Sequence, residues 1–154
     1  MATPPLKNRL NKVGEFASIT FFEDSLATTP DSTYQALETM KEEGFTVGTM
    51  YLGGKEQGFV YGALVDNIIE MGIPNLVFFP DAGDEIKKVF DAKGYTYNGL
   101  VTRDLVEAVK FGYKYTKPGQ VALLSCAAQS FSIWNNAYER GDLFAQHVKE
   151  QCPQ

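Results

Sequence analysis

The chain has little of what builds the commonest self-contained sites. Its 154 residues include two cysteines, Cys126 and Cys152, and one histidine, His147. No pair of these has metal-ligand spacing, and two cysteines are too few for a disulfide framework. Cys126 has no histidine near it in sequence to activate it, so it reads as a small structural residue at a strand end rather than a nucleophile. His147 lies beside Gln146 and near Lys149 on an amphipathic stretch and reads as a surface or half-buried helix residue, which argues against a His-based triad or a zinc site. Long hydrophobic runs are missing, so no segment is suited to span a bilayer as a helix. The N-terminus, Met-Ala-Thr-Pro-Pro-Leu-Lys, lacks the apolar core of a signal peptide, and a cytoplasmic location is expected. There is no basic block and the net charge is −5, which argues against nucleic-acid binding by phosphate neutralisation. Neither G-x-G-x-x-G nor G-x-x-x-x-G-K-[ST] occurs. The chain therefore carries no phosphate loop, and any triphosphate it works with must be held elsewhere.

What is present is the composition of a globular domain, 44% apolar and 21% charged, with enough length for one real core. Residues 1–16 read as a tether, stiffened by Pro4-Pro5 and followed by a stretch too short and polar for a core element. A single domain is expected over residues 17–154. Strands are expected at residues 19–22, 45–52, 76–79 and 121–124, with a short one at 95–97. Helices are expected between them: one opened by Thr29-Pro30 and stopped by Gly44, one over residues 64–69, one over 85–92, one over 102–112 capped by Thr102, and a last one from about Ile133 to Lys149. Continuous apolar strands alternating with helices indicate an α/β fold, a three-layer Rossmann-like open sheet, mostly parallel, with helices on both faces.

In such sheets ligands bind beyond the carboxyl ends of the strands. That rule selects the loops at residues 23–29, 53–59, 80–83 and 125–134. Asp24-Ser25 and Thr28-Thr29 lie ahead of a helix, where free N–H groups suit an anion, although on this feature alone ordinary helix caps are the favoured reading. Gly53-Gly54 admits close backbone approach to a ligand, or a tight turn. Ser125 and Ser130 bracket a small-residue loop, with Ser130 and Phe131 placed just before the last expected helix. Ser130 reads otherwise as a cap and Trp134 as a core anchor. Glu139-Arg140-Gly141-Asp142 reads as a solvated charge pair on a helix face, worth little.

Four segments in order resemble the C-terminal domain of the D-glutamate-adding Mur ligases, the UDP-N-acetylmuramoyl-L-alanine:D-glutamate ligases of peptidoglycan synthesis. Asn8-Arg9-Leu10-Asn11 matches the family's opening His-Arg-Leu/Phe-Glu segment. Glu23-Asp24-Ser25-Leu26-Ala27-Thr28-Thr29 matches Asn-Asp-Ser-Lys-Ala-Thr-Asn. Gly53-Gly54 matches a Gly-Gly loop, and residues 123–132 match Leu-Leu-Ser-Pro-Ala-Cys-Ala-Ser-Phe-Asp. The ending Glu139-Arg140-Gly141-Asp142-x-Phe144 fits as well. The resemblance implies a lid-like domain of an ATP-dependent ligase that activates a carboxylate as an acyl phosphate for attack by the amine of D-glutamate. It implies ATP and Mg2+ in the full-length enzyme, none held tightly by this chain alone, with the N-terminal and central ligase domains as partners and the isolated chain inactive. By the same resemblance Arg9 and Asp24 touch ATP, while Thr28, Gln57, Ser130 and Phe131 line the amino-acid pocket. Two family lysines are replaced, one by Leu26 and one by Gln57, with Lys55 two residues before the latter. Losing a charge-assisted hydrogen bond at Leu26 costs roughly 1.5–3 kcal/mol of binding. A domain of a related ligase for another amino acid, or a stand-alone binding module without catalysis, are the alternatives.

Overall fold

Short apolar strands whose side chains alternate between two buried faces set the architecture. A computed structural model describes residues 7–130 and 134–153. Within them the order is β1 (Asn11–Phe16), β2 (Ile19–Glu23), α1 (Pro30–Glu42), β3 (Val47–Gly53), α2 (Gly62–Glu70), β4 (Asn75–Phe79), α3 (Ala82–Ala92), β5 (Asn98–Val101), α4 (Leu105–Tyr115), β6 (Val121–Leu124) and α5 (Ala137–Glu150). One sheet holds the strands in the order β1-β2-β6-β3-β4-β5. β1 is antiparallel to β2, and every other pairing is parallel. Phe22, Leu52, Leu76, Phe78 and Leu123 face α1, α2 and α3. Phe21, Tyr51, Val77, Phe79 and Leu124 face α4 and α5. Both faces are covered, which is why the central strands read as unbroken apolar runs. The expected three-layer, mostly parallel α/β fold is the one observed.

Local signals explain several boundaries. Thr29 caps α1 by accepting the Ser32 N–H at 3.2 Å, with Pro30 in the first turn. Gly44, at φ +80°, follows the end of that helix. Four expectations are corrected. Asn11–Phe16 is not tether but an edge strand, joined to β2 by a hairpin whose Ala17 and Ser18 both have positive φ, 51° and 64°. The strand expected at 95–97 lies at Asn98–Val101. Asp104 caps α4 by accepting the Val106 N–H, while Thr102 accepts the Asp104 N–H one step earlier. The last helix starts at Ala137, capped by Asn136, several residues after the expected start.

Tyr51 occupies the centre of the α4–α5 face with its ring edge-on to Phe144, at a centroid distance of 5.0 Å. A Cβ on Gly112 would run into the Tyr51 hydroxyl, so α4 approaches the sheet closely here because that residue is glycine. The hydroxyl is buried without a hydrogen-bond partner among the described residues. An unpaired buried hydroxyl costs about 1–3 kcal/mol. Tyr51→Phe is therefore expected to raise the unfolding free energy by about 1 kcal/mol. A loss of stability in urea titration would show that the hydroxyl is bonded after all.

The sheet brings one edge into prominence. The carboxyl ends of β2, β3, β4 and β6 lie along it, and because β1 runs the other way, its first residue pairs with the last of β2, Asn11 with Glu23. Residues 8–10 thus reach the same rim.

Candidate functional site

Three loops at this rim are tied together by one side chain. Arg140, on the first turn of α5, is fully buried. Its Nε donates to Ser25 Oγ at 2.8 Å and its Nη2 to the Ser25 carbonyl at 2.7 Å. Its Nη1 donates to the Ala128 carbonyl at 2.8 Å and, more weakly, to the Gly53 carbonyl at 3.4 Å. One guanidinium therefore holds the loops after β2, β6 and β3. The Trp134 ring lies 5.9 Å from it, adding a cation–π contact. The fork geometry of arginine, with several donors in one plane, suits this task where lysine would not. The reading of Arg140 as part of a solvated charge pair is thus corrected. A sequence signal was available: Gly141 sits inside the helix, and a Cβ there would run into the Glu23 carboxylate.

The glycine pair has a similar explanation. Gly53 and Gly54 take φ of 116° and 142°. A Cβ on Gly53 would meet the Phe79 carbonyl, and one on Gly54 the Gln129 carbonyl. Gly53 N–H donates to the Cys126 carbonyl at 2.8 Å, Gly54 N–H to Phe79 at 3.0 Å and Lys55 N–H to Gln129 at 2.6 Å. The close approach that glycine permits here is between loops of the protein itself.

Two carboxylates end β2, both buried. Glu23 accepts from the Asn8 side-chain amide at 2.8 Å and from the Ser25 N–H at 2.8 Å. Burial raises its pKa, offset in part by those bonds and by Arg140. Asp24 accepts from Leu10 N–H at 2.9 Å and from Ser125 Oγ at 2.8 Å. Desolvation outweighs both bonds and the nearby Arg9 charge and lifts its pKa to about 6. Ser125 Oγ also lies 3.1 Å from Thr33 Oγ1, which links the network to α1. Cys126 sits beneath it, fully buried, with its thiol pushed up to about 11 by burial, as befits an inert packing residue.

Beside this network a cavity of about 220 Å3 opens between residues 9–10, the β2 loop and α1, lined by Arg9, Leu10, Asp24, Ala27, Ser32 and Gln35 among others. Arg9 and Asp24, singled out together in the sequence, line it together. Thr28 is half-buried just before the α1 cap, and Ser130 is buried, its carbonyl accepting from Trp134 N–H at 2.9 Å. α5 starts at Ala137, so Ser130 does not stand at the N-terminus of that helix. Gln57 is exposed further along the β3 loop and does not line the cavity. Phe131 lies outside the described residues. Among the described residues no cluster of three or more His, Cys, Asp or Glu side chains could hold a metal ion, and no helix is long and apolar enough to cross a membrane.

No family model matches the chain. It is 34% identical over 145 residues to a UDP-N-acetylmuramoyl-L-alanine–L-glutamate ligase of Salinispora tropica, covering 94% of this chain and 31% of that protein. It is 32% identical over 141 residues to a UDP-N-acetylmuramoylalanine–D-glutamate ligase of Porphyromonas gingivalis, covering 92% of this chain and 30% of that one. The chain thus spans about 30% of the length of the curated relatives it matches. Its fold is shared with a domain from a putative UDP-N-acetylmuramate:L-alanyl-γ-D-glutamyl-diaminopimelate ligase of Haemophilus ducreyi, at a TM-score of 0.65 and 14% identity, over 94% of this chain and all of that one. The six-stranded, mostly parallel α/β fold is thus one that a solved ligase domain shares. In sequence, the chain is similar to a stretch of about 30% of ligases whose names specify the addition of L- or D-glutamate.

Proposed function

We propose that this domain supplies one half of the active site of an ATP-dependent ligase in the cytoplasm, which joins glutamate to UDP-N-acetylmuramoyl-L-alanine through an acyl phosphate. The observation that carries the reading is the 32–34% identity to glutamate-adding ligases over 92–94% of the chain. The gathering of the β2, β3 and β6 loops by Arg140 supports it, since a closing domain needs a rim that keeps its shape. Arg9 and Asp24 form the nucleotide side, at the cavity they share. Thr28, Ser130, Phe131 and Gln57 form the amino-acid side. With no acidic cluster for a metal among the described residues, Mg2+ would be held by phosphates and residues outside this domain. The phosphate loop and the nucleotide-sugar site are assigned to the remaining 70% or so of such a ligase.

The replacement of a family lysine by Leu26 bears on the amino acid, and the relatives include adders of both L- and D-glutamate. Calorimetric titration of the full-length ligase carrying this domain, with D-glutamate, L-glutamate and a monocarboxylic amino acid, tests the reading. Binding of one glutamate enantiomer is expected. Indifference to all three, or ligation by the 154-residue chain alone, would overturn it.

A further inference from the structure

Asp24 resembles a ligand-contacting residue, yet its carboxylate is spoken for. It is 4% exposed, with one oxygen on Leu10 N–H at 2.9 Å and the other on Ser125 Oγ at 2.8 Å. The segment it grips is unusual. Asn8 and Leu10 have φ of 61° and 46°, the left-handed region that costs a residue with a side chain. Such residues persist where their surroundings over-determine them. Here the surroundings are the residues ending β2. Asn8 accepts the Leu26 N–H at 2.9 Å through its carbonyl, and its side-chain amide donates to Glu23 at 2.8 Å and Asp142 at 3.2 Å. Between the two left-handed residues stands Arg9, exposed, on the wall of the cavity.

We infer that Asp24 is a positioning residue: by holding the Leu10 N–H it fixes the left-handed turn of residues 8–10 that presents Arg9 to the cavity, and Arg9 rather than Asp24 makes the principal ligand contact. The role of Arg9 as a ligand contact rests on the proposed function; the latch itself rests on the hydrogen bonds and dihedral angles. The charged groups around the latch are Glu23, Asp142, Arg9, Lys7 and Arg140.

Asparagine separates a latch from a charge. In Asp24→Asn the amide carbonyl accepts from Leu10 N–H and the NH2 donates to Ser125 Oγ, so both bonds survive while the charge goes. Asp24→Ala removes both. Amide exchange measured by NMR on the 154-residue chain at neutral pH reads the difference. Asp24→Ala is expected to speed exchange at Leu10 by about tenfold or more relative to the core amide of Leu123, the size of one lost hydrogen bond. The intraresidue HN–Hα cross-peaks that positive φ makes strong at Asn8 and Leu10 should weaken in step. Asp24→Asn should rescue both signals. If Asp24→Asn behaves like Asp24→Ala, or if Leu10 exchanges freely in the wild-type chain, the latch is wrong. Should Asp24→Ala unfold the chain, the Leu123 amide will show it. Ser125→Ala then serves, because it cuts only the second oxygen's bond and is expected to leave Leu10 protected, whereas equal loss at Leu10 overturns the proposal. A latch that behaves as expected in a protein that ignores both glutamates would sink the ligase reading and leave the latch standing.

Discussion

Replacing Arg140 with alanine is expected to cost about 3–5 kcal/mol of folding free energy, a large share of the 5–15 kcal/mol that holds a typical domain together. The loss has two sources. Ser25 and Ala128 lose their shortest partner bonds, leaving buried acceptors at about 1–3 kcal/mol each. The vacated volume beside Trp134 then adds a cavity term. Arg140→Lys should recover only part of this, because an ammonium cannot reach the β2 and β6 loops in one plane. The damage should also be local: the three loops come apart before the sheet does, so in the ligase proposed above ligand affinity should fall under conditions where the variant is still folded. Urea unfolding of the two variants checks the energetic claim. A loss below about 1 kcal/mol for Arg140→Ala would mean that the guanidinium is buried without tying anything.

The second large effect is a pH dependence with a definite sign. Asp24 has its pKa raised from 3.8 to about 6 in the folded protein. Between those values the folded state binds more protons than the unfolded state, so stability falls as pH rises through the window. The full penalty, on the order of 2–3 kcal/mol, is in place above pH 6 and absent below the unfolded pKa. Glu23 is shifted in the same direction and contributes with the same sign. The comparison that isolates Asp24 is wild type against Asp24→Asn, whose difference in unfolding free energy should move in favour of the variant between pH 4 and pH 7. A difference that stays flat across that range would show that the carboxylate is solvated or already compensated. The rim therefore carries a charge that the fold would be more stable without, as sites often do.

Most of the sheet was legible because its strands bury both faces and so read as apolar runs, with β6 falling on Val121–Leu124 as expected. The Thr29-Pro30 start of α1 was legible because cap chemistry is local. β1 was hidden for two reasons. It is an edge strand with Lys12 and Glu15 exposed, and its hairpin turn uses Ala17-Ser18 where glycine or asparagine is usual for positive φ. β5 was misplaced because Tyr95 and Tyr97 look like strand residues. Both instead pack against Phe90, and Tyr95 donates to the Ile73 carbonyl, while Asn98-Gly99 enters the sheet by pairing with β4. The late start of α5 follows from Asn136, whose side chain accepts the Glu139 N–H at 2.8 Å. At the rim, Arg9 and Asp24 came from resemblance and share a cavity. Arg140 was overlooked because its role depends on three carbonyls and a hydroxyl brought together by the fold, and no spacing in the sequence encodes such a meeting.

The reversed direction of β1 has a mechanical consequence. Residues 7–10 stand at the end of β2, beside Asp24, since Asn11 pairs with Glu23. If this domain closes in the proposed ligase, a pivot next to residues 7–10 would have almost no lever arm with respect to the rim, and rotation about it would change the angle of the loops far more than their distance from the pivot.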